Sequence, residues 1–440
     1  MISRRSALLT TAVTIVALGG AGWAGMRLSG TPAEAAPVLP AALGGEMSDV
    51  EVTNRQIAFY EERVEGDPRA AADRAALAGL YLQRSRETGE FEDFRRAERL
   101  ARESLGIRVK MNSRAARILT ASLLAQHRFA EALEAAQELV RVWPEDPAHR
   151  ALLAEIQMEL GEYDAARRTL GSLESARENL AVAPRLARWA EVTGRPAEER
   201  QILYATADRA LYRTDLPREQ AAWYFLRVGE HELRFGRLDE AEKAFRDGLQ
   251  VEPSDFRLVS ALARVEAHRG NWRRAVAYGE AVGDAADIRT LGAIGDAYAQ
   301  LGDRDAAERY YDRVEKAAAD NPEPFNRQWT QFRLDHDRHV PETLAILQEE
   351  IRTRRDVLGY DMLAWALYRS GRYAEAREAM SGALRMGTQD ATLHFHAGMI
   401  ERALGNREAA RRHLEHALEL NPRFHPTFPA EARAALRSLR

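Results

Sequence analysis

The sequence predicts an all-α solenoid built from tandem helix–turn–helix units. Three observations predict it: a pattern that returns every 34 residues, a glycine at the same offset in most copies, and alanines at fixed offsets after it. The pattern is clearest from Val357 to Phe424, where it is written twice in tandem. Leu363, Ala364, Leu367, Gly371, Tyr373, Ala376, Met380, Ala383 and Leu384 align with Ala397, Gly398, Glu401, Gly405, Arg407, Ala410, Leu414, Ala417 and Leu418. Gly371 and Gly405 stand where the first helix of each unit ends, a left-handed C-cap position that glycine fills without a Cβ penalty. Ala376, Ala383, Ala410 and Ala417 mark a close approach of two helices, where a larger side chain would overpack. Asn421-Pro422 closes the second copy and is expected to start the next helix.

This period, with its small residue, glycine, alanines and closing proline, resembles the tetratricopeptide repeat (TPR). The resemblance covers the chain from about residue 49 to the end. It implies a TPR-like right-handed αα-superhelix of roughly ten units on a ~34-residue period, closed by a C-terminal capping helix.

Taken in order, the chain opens with Ser3-Arg4-Arg5, an uncharged run over residues 6–26, and Arg27. A positive segment before an apolar one is the pattern of a secretory signal, and Ala33-Glu34-Ala35 offers small residues for cleavage. The paired arginines resemble a twin-arginine signal, although Ala7 stands where an aromatic usually follows. The run also approaches the ~20 residues that span a bilayer uncleaved. Residues 1–35 are therefore expected to be either a signal peptide or an N-terminal membrane anchor, and both place the body outside the cytoplasm, in the periplasm or beyond. Residues 36–48, rich in alanine and proline, read as a linker.

Asp49 to Glu65 reads as a leading helix with Ile57, Tyr60 and Val64 on one face. The first unit starts near Ala72, and its connecting segment from Arg84 to Phe94 is longer than the repeat requires. Such an insertion maps to a loop or an extended helix end. In the next unit, Ser113 to Asp146, His127 stands in place of the turn glycine. Units follow from Pro147 and from about Leu180, after which Leu211 to Gln220 is surplus to the period and reads as a joint. Further units start near Ala222, Phe256, Ile288 and Pro322, the last without its turn glycine. The expected organisation is an N-terminal TPR sub-stack over 49–213, a C-terminal sub-stack over 214–427, and a capping helix over 428–440.

Composition narrows the function. The chain carries 63 basic and 67 acidic residues for a net charge of −4, so no global footprint for a polyanion exists and nucleic acid is not the expected partner. With 45% hydrophobic residues it has the apolar content of a folded chain, not of a multi-span membrane protein. There is no cysteine, which removes disulfides, thiolate metal sites and cysteine nucleophiles. Only three lysines occur, so the positive charge is nearly all arginine, a weak sign of a GC-rich bacterial genome.

The resemblance implies that the first helix of each unit lines a concave groove that binds a protein or peptide. At the ninth position of successive units stand Glu155, Arg188, Glu230, Arg264 and Asp296. Beside them fall Arg117, Trp223, Leu226, Arg234, Arg257 and Arg289, and further on Trp365, Tyr368, Arg369, Phe395, Met399 and Arg402. The expected groove residues are Arg117, Glu155, Arg188, Trp223, Glu230, Arg264, Asp296, Trp365, Tyr368, Arg369, Phe395, Met399 and Arg402. Aromatic and arginine groups are the usual binding anchors. The alternating charges equally fit pairing between neighbouring units, with little net energy in each. The corresponding positions hold no asparagine or lysine, which argues against a clamp for chaperone tails.

No phosphate-binding glycine loop, nucleophile elbow or zinc-protease motif occurs, so the expected function is non-catalytic, without cofactor or resident metal. The alternative is a metal-binding or carrier protein using the C-terminal histidines. His413 and His416 are spaced to share an ion, while His394 and His396 point to nearly opposite sides of their helix. Packing or surface roles suit these histidines better, and Asp335-His336-Asp337 reads as a solvated turn. A third reading is a bridging subunit of a cell-envelope complex. The expectation is thus a protein-binding scaffold or assembly factor outside the cytoplasm, touching a membrane only through residues 6–26.

Overall fold

In a computed structural model of the chain, residues 48–320 and 326–439 are described. The expected signal or anchor over 1–35, and the linker up to Met47, lie outside them. Among the described residues there are 22 α-helices, two short 3-10 turns and no strand. A leading helix, Asp49–Gly66, is followed by ten antiparallel helix pairs between Ala71 and Leu420 and by a terminal helix, Phe428–Ser438. No helix among them is long and apolar enough to cross a membrane.

Local chemistry sets each boundary. Asp146, Asp255, Asp287, Asn326, Asp356 and Asp390 each accept a backbone N–H from the first turn of the helix that follows. Each such cap contributes about 1 kcal/mol. Four residues into the second helices, Ala132, Ala166, Ala241, Ala376 and Ala410 are fully buried against the first helix of their unit. The turns between paired helices are left-handed from Gly161 to Gly405. Where glycine is missing, His127 (φ 56°) and Asp337 (φ 54°) adopt the same conformation. The surplus residues of the first unit lengthen its first helix: Ala71–Thr88 has 18 residues against 13 in Ser113–Ala125. The surplus at the joint forms the turn between Leu211 and Arg218, and one apolar cluster passes it unbroken through Ala210, Tyr224 and Val228. One expectation is corrected. Asn421-Pro422 ends a helix, but the next begins only at Phe428; the Asn421 Oδ1 accepts the Arg423 N–H locally at 2.8 Å while its Nδ2 engages a distant carbonyl.

That engagement belongs to a second level of packing. The superhelix completes a turn, and its successive turns touch along a seam. Arg355 donates its backbone N–H to the Leu160 carbonyl (3.0 Å), and Val357 donates its own to the Tyr163 hydroxyl (2.8 Å). Thr388 Oγ1 donates to the Val192 carbonyl at 2.6 Å, and Asn421 Nδ2 donates to the Leu233 and Arg234 carbonyls at 3.2 and 3.0 Å. Arg354 pairs with Glu159 across the same line. In the first two cases the turn inside one unit seats on the start of the unit six further on, and in the third it seats on the residues that close the last unit.

Glycine is required twice over at two of these turns. A Cβ on Gly161 (φ 74°) would lie 2.2 Å from the Arg355 carbonyl oxygen. A Cβ on Gly194 (φ 67°) would lie 2.1 Å from that of Gly387. The largest apolar cluster accordingly joins residues from Ala151 to Ala244 with residues from Leu334 to Leu439.

Candidate functional site: the concave cavity

The helices Pro147–Glu159, Ala183–Val192, Arg218–Arg234, Phe256–Arg269 and Ile288–Leu301 are the first helices of five successive units. Their inward faces, with Gln328 and Leu358 from later units, surround a cavity of about 640 Å³. Of the residues expected to line a groove, Glu155, Arg188, Trp223, Glu230 and Arg264 do so. Every unit turns by a similar angle, so equivalent positions on successive first helices converge on one axis.

The charges inside are paired unevenly. Arg185 Nε donates to Glu155 at 2.8 Å, Arg188 Nη1 to Glu191 at 2.6 Å, and Arg227 Nη1 to Glu230 at 2.6 Å. Arg234 spans Glu191 and Glu199, the latter at 2.6 Å. Burial alone raises the Glu191 carboxyl, but Arg188, Arg234 and Arg227 outweigh it and hold the group well below the usual carboxylate range. Glu230 is likewise raised by burial and lowered further by Arg227, Arg264 and Arg289. Glu191, Arg227 and Arg185 went unmarked in the sequence. Glu191 lies three residues after Arg188, Arg185 three before Arg188 and Arg227 three before Glu230, and that spacing alone puts them on the same face.

The C-terminal half of the expected set is placed differently. Trp365, Phe395 and Met399 are 1%, 0% and 2% exposed, so the expectation that they present an open binding face is corrected. Trp365 stacks on Tyr368 (4.7 Å) and on His396 (4.1 Å), and Phe428 of the terminal helix stacks on Phe395 at 4.7 Å. The residues following Asn421 fold back over these rings, and Phe424 and Phe428 cover them. Asp296 is occupied as well, accepting from Tyr311 Oη (2.9 Å) and His336 Nε2 (2.7 Å). Arg369 donates to Asp337 at 2.8 Å. Tyr368 is half-buried, while Arg117 and Arg402 are exposed, and none of these four lines the cavity.

The histidines also sit in contacts. His394 and His413 bring their Nδ1 atoms to 3.0 Å, so one is protonated and the other accepts. Burial, then the neighbouring rings of His416 and His413, push the His394 imidazole down to about 4. His425 stacks on Phe428 at 3.8 Å, and burial pulls it down to about 3. His336 differs: its Nδ1 faces the Phe332 carbonyl at 2.7 Å while Nε2 faces Asp296, and a ring donating from both nitrogens is the cation. Burial disfavours that cation, the Asp296 contact outweighs burial, and the net shift is upward. Its neighbour Asp335 is pushed up to about 6 by burial, so Asp335-His336-Asp337 is a half-buried polar knot and not a fully solvated turn. Among the described residues, no group of three or more histidine, aspartate or glutamate side chains is arranged to hold a metal ion.

Sequence models of the tetratricopeptide repeat match residues 123–187, 227–287, 288–321 and 362–423, together just over half of the chain. No curated protein matches it. Similar solved structures include a human IFIT1 dimer with PPP-AAAA, at 13% identity over 85% of this chain and 95% of that one, with a TM-score of 0.43. PilW, described as a widely conserved type IV pilus biogenesis factor, is 17% identical over 50% of this chain and 98% of its own, with a TM-score of 0.39. PilF of Pseudomonas aeruginosa is 17% identical over 51% and 97%, with a TM-score of 0.38.

Proposed function

We propose, from the premise that the chain belongs to the tetratricopeptide repeat family, that its concave cavity holds an extended segment of another protein. The chain then acts as a non-catalytic scaffold or assembly factor. The observation that carries this reading is the cavity of about 640 Å³, shared by the first helices of five successive units. A site built from many units suits a ligand that runs along the superhelix axis, as an extended chain does, better than a compact small molecule. The pattern over residues 3–27 supports a location outside the cytoplasm, and the register slip near 211–220 supports a division into sub-stacks at 213/214.

Photo-crosslinking in cells tests the reading. A crosslinker at Ser260, inside the cavity, is expected to capture a protein partner. One at Lys243, 76% exposed on a second helix, is expected not to. A bulky Ser260→Trp replacement should abolish the capture. Partner adducts from Lys243 alone would instead favour the bridging-subunit reading.

A further inference from the structure

The cavity walls hold seven arginines and five carboxylates, and two of the arginines, Arg234 and Arg257, are also answered from outside the lining by Glu199 and by Asp255 and Glu219. Glu155 is taken by Arg185, and Glu159 by Arg354 across the seam. Glu191 serves Arg188 and Arg234 and, at 3.8 Å, Arg227. Asp287 caps its own helix, accepting from the Thr290 N–H and hydroxyl at 2.8 and 2.6 Å, and its charge offsets part of that of Arg264 from beyond ion-pair distance. That leaves Glu230 to answer Arg227 at 2.6 Å and, weakly, Arg264 at 3.3 Å. Arg289 has no carboxylate within ion-pair distance among the described residues. Burial, with the charge of Arg289 adding to it, draws the Arg264 guanidinium below its usual value despite Glu230, the reverse of the well-paired Arg188. A half-buried guanidinium beside a like charge is a costly arrangement unless a further anion enters.

We infer that Arg264 and Arg289 form an anion-binding subsite within the cavity, which receives an acidic side chain of the bound polypeptide. This deepens the groove-binding reading and rests on it. The partner chemistry is an acidic peptide in which apolar residues flank the anion, because Trp223 and Leu226 line the wall beside the arginines. A polynucleotide fits less well, since Glu155, Glu191 and Glu230 lie along the path its successive phosphates would follow.

The test uses the full-length protein and fluorescein-labelled peptides of equal length, alternating leucine with glutamate, phosphoserine or glutamine, together with hexauridylate. The glutamate and phosphoserine peptides are expected to bind about ten-fold or more tighter than the glutamine peptide, the scale of one charge-assisted contact. Arg289→Gln and Arg264→Gln should each remove most of that preference, and added salt should weaken it. The phosphoserine and glutamate arms separate phosphate from carboxylate as the favoured anion. Equal binding of acidic and neutral peptides, or a preference that survives both substitutions, overturns the subsite. In either case, loss of binding in Ser260→Trp leaves the groove reading standing. No peptide binding at all, or binding indifferent to Ser260→Trp, overturns the groove reading and the subsite with it. Hexauridylate bound more tightly than any peptide overturns the assignment of the partner as a polypeptide.

Discussion

Placing alanine at Gly194 tests whether the superhelical turns truly bear on each other. Any L-residue there must hold a left-handed backbone (φ 67°), which costs about 1–2 kcal/mol. Its Cβ would also lie 2.1 Å from the Gly387 carbonyl oxygen and 2.9 Å from the carbonyl carbon. That oxygen is backbone, not the end of a flexible side chain, so the seam itself must move. Overpacking of this kind costs about 1–3 kcal/mol, and losing the Thr388–Val192 hydrogen bond adds about 1 kcal/mol. Gly194→Ala should therefore cost about 3–6 kcal/mol when the backbone, overpacking and hydrogen-bond terms are summed. Gly371→Ala is the control. Its φ is 73°, yet nothing lies within 4 Å of the added Cβ, so only the backbone cost applies. Urea unfolding followed by circular dichroism and tryptophan fluorescence reads the difference, provided the two probes coincide for each variant. The double variant Gly161→Ala/Gly194→Ala should cost less than the sum of its parts, because both open one shared contact. If Gly194→Ala and Gly371→Ala are equally mild, the turns do not press together in solution and the seam reasoning fails.

Other substitutions probe the interior. Arg327 donates both terminal nitrogens to Asp356 at 2.8 and 2.5 Å and its Nε to Glu350 at 2.8 Å, and both carboxylates are buried. Arg327→Ala takes the ion-pair partner from Asp356 and leaves Glu350 with Arg354 alone at 3.4 Å; it should cost about 3–5 kcal/mol in urea unfolding, whereas a loss under ~1 kcal/mol would mean water reaches the site. Trp365→Ala should cost about 3–5 kcal/mol as a core truncation and leave peptide affinity of the remaining folded protein unchanged. A selective loss of affinity without destabilisation would return Trp365 to the groove. His394 and His425, held neutral by burial, contribute stability that is complete above the unfolded value of about 6.5 and declines as pH falls toward 4. His394→Gln with His425→Gln should flatten the urea midpoint between pH 7 and 4, and an unchanged slope would refute the assignment. His336 has the opposite sign: its contribution is complete below about 6.5 and fades as pH climbs through its raised value. Its NMR titration midpoint should fall in Asp296→Asn.

The repeat was legible because its physics is local. A left-handed turn asks for Gly371, and two helices in contact ask for Ala376, so both leave a mark at a fixed offset. Glu155, Arg188, Trp223, Glu230 and Arg264 could be placed in the cavity for the same reason, since equivalent positions face one axis. Trp365 and Phe395 obey the same offsets, yet they are covered, because Phe424 and Phe428 lie beyond the last unit and no period describes where they fold. The seam escaped for a related reason. The pairing of Thr388 with Val192 depends on the summed rotation of six units, each too small to read from its own residues.

The seam also bears on how such a chain can change over generations. An open solenoid tolerates the gain or loss of a whole unit, since each contacts only its neighbours. Here Gly161 must meet Arg355, and Gly194 must meet Gly387. Duplicating or deleting any unit between them would set every one of these meetings out of phase at once. The number of units between Gly161 and Arg355 is thereby fixed as firmly as a side chain in a core, while copies can still be added beyond the ends, where Gly405 faces open space.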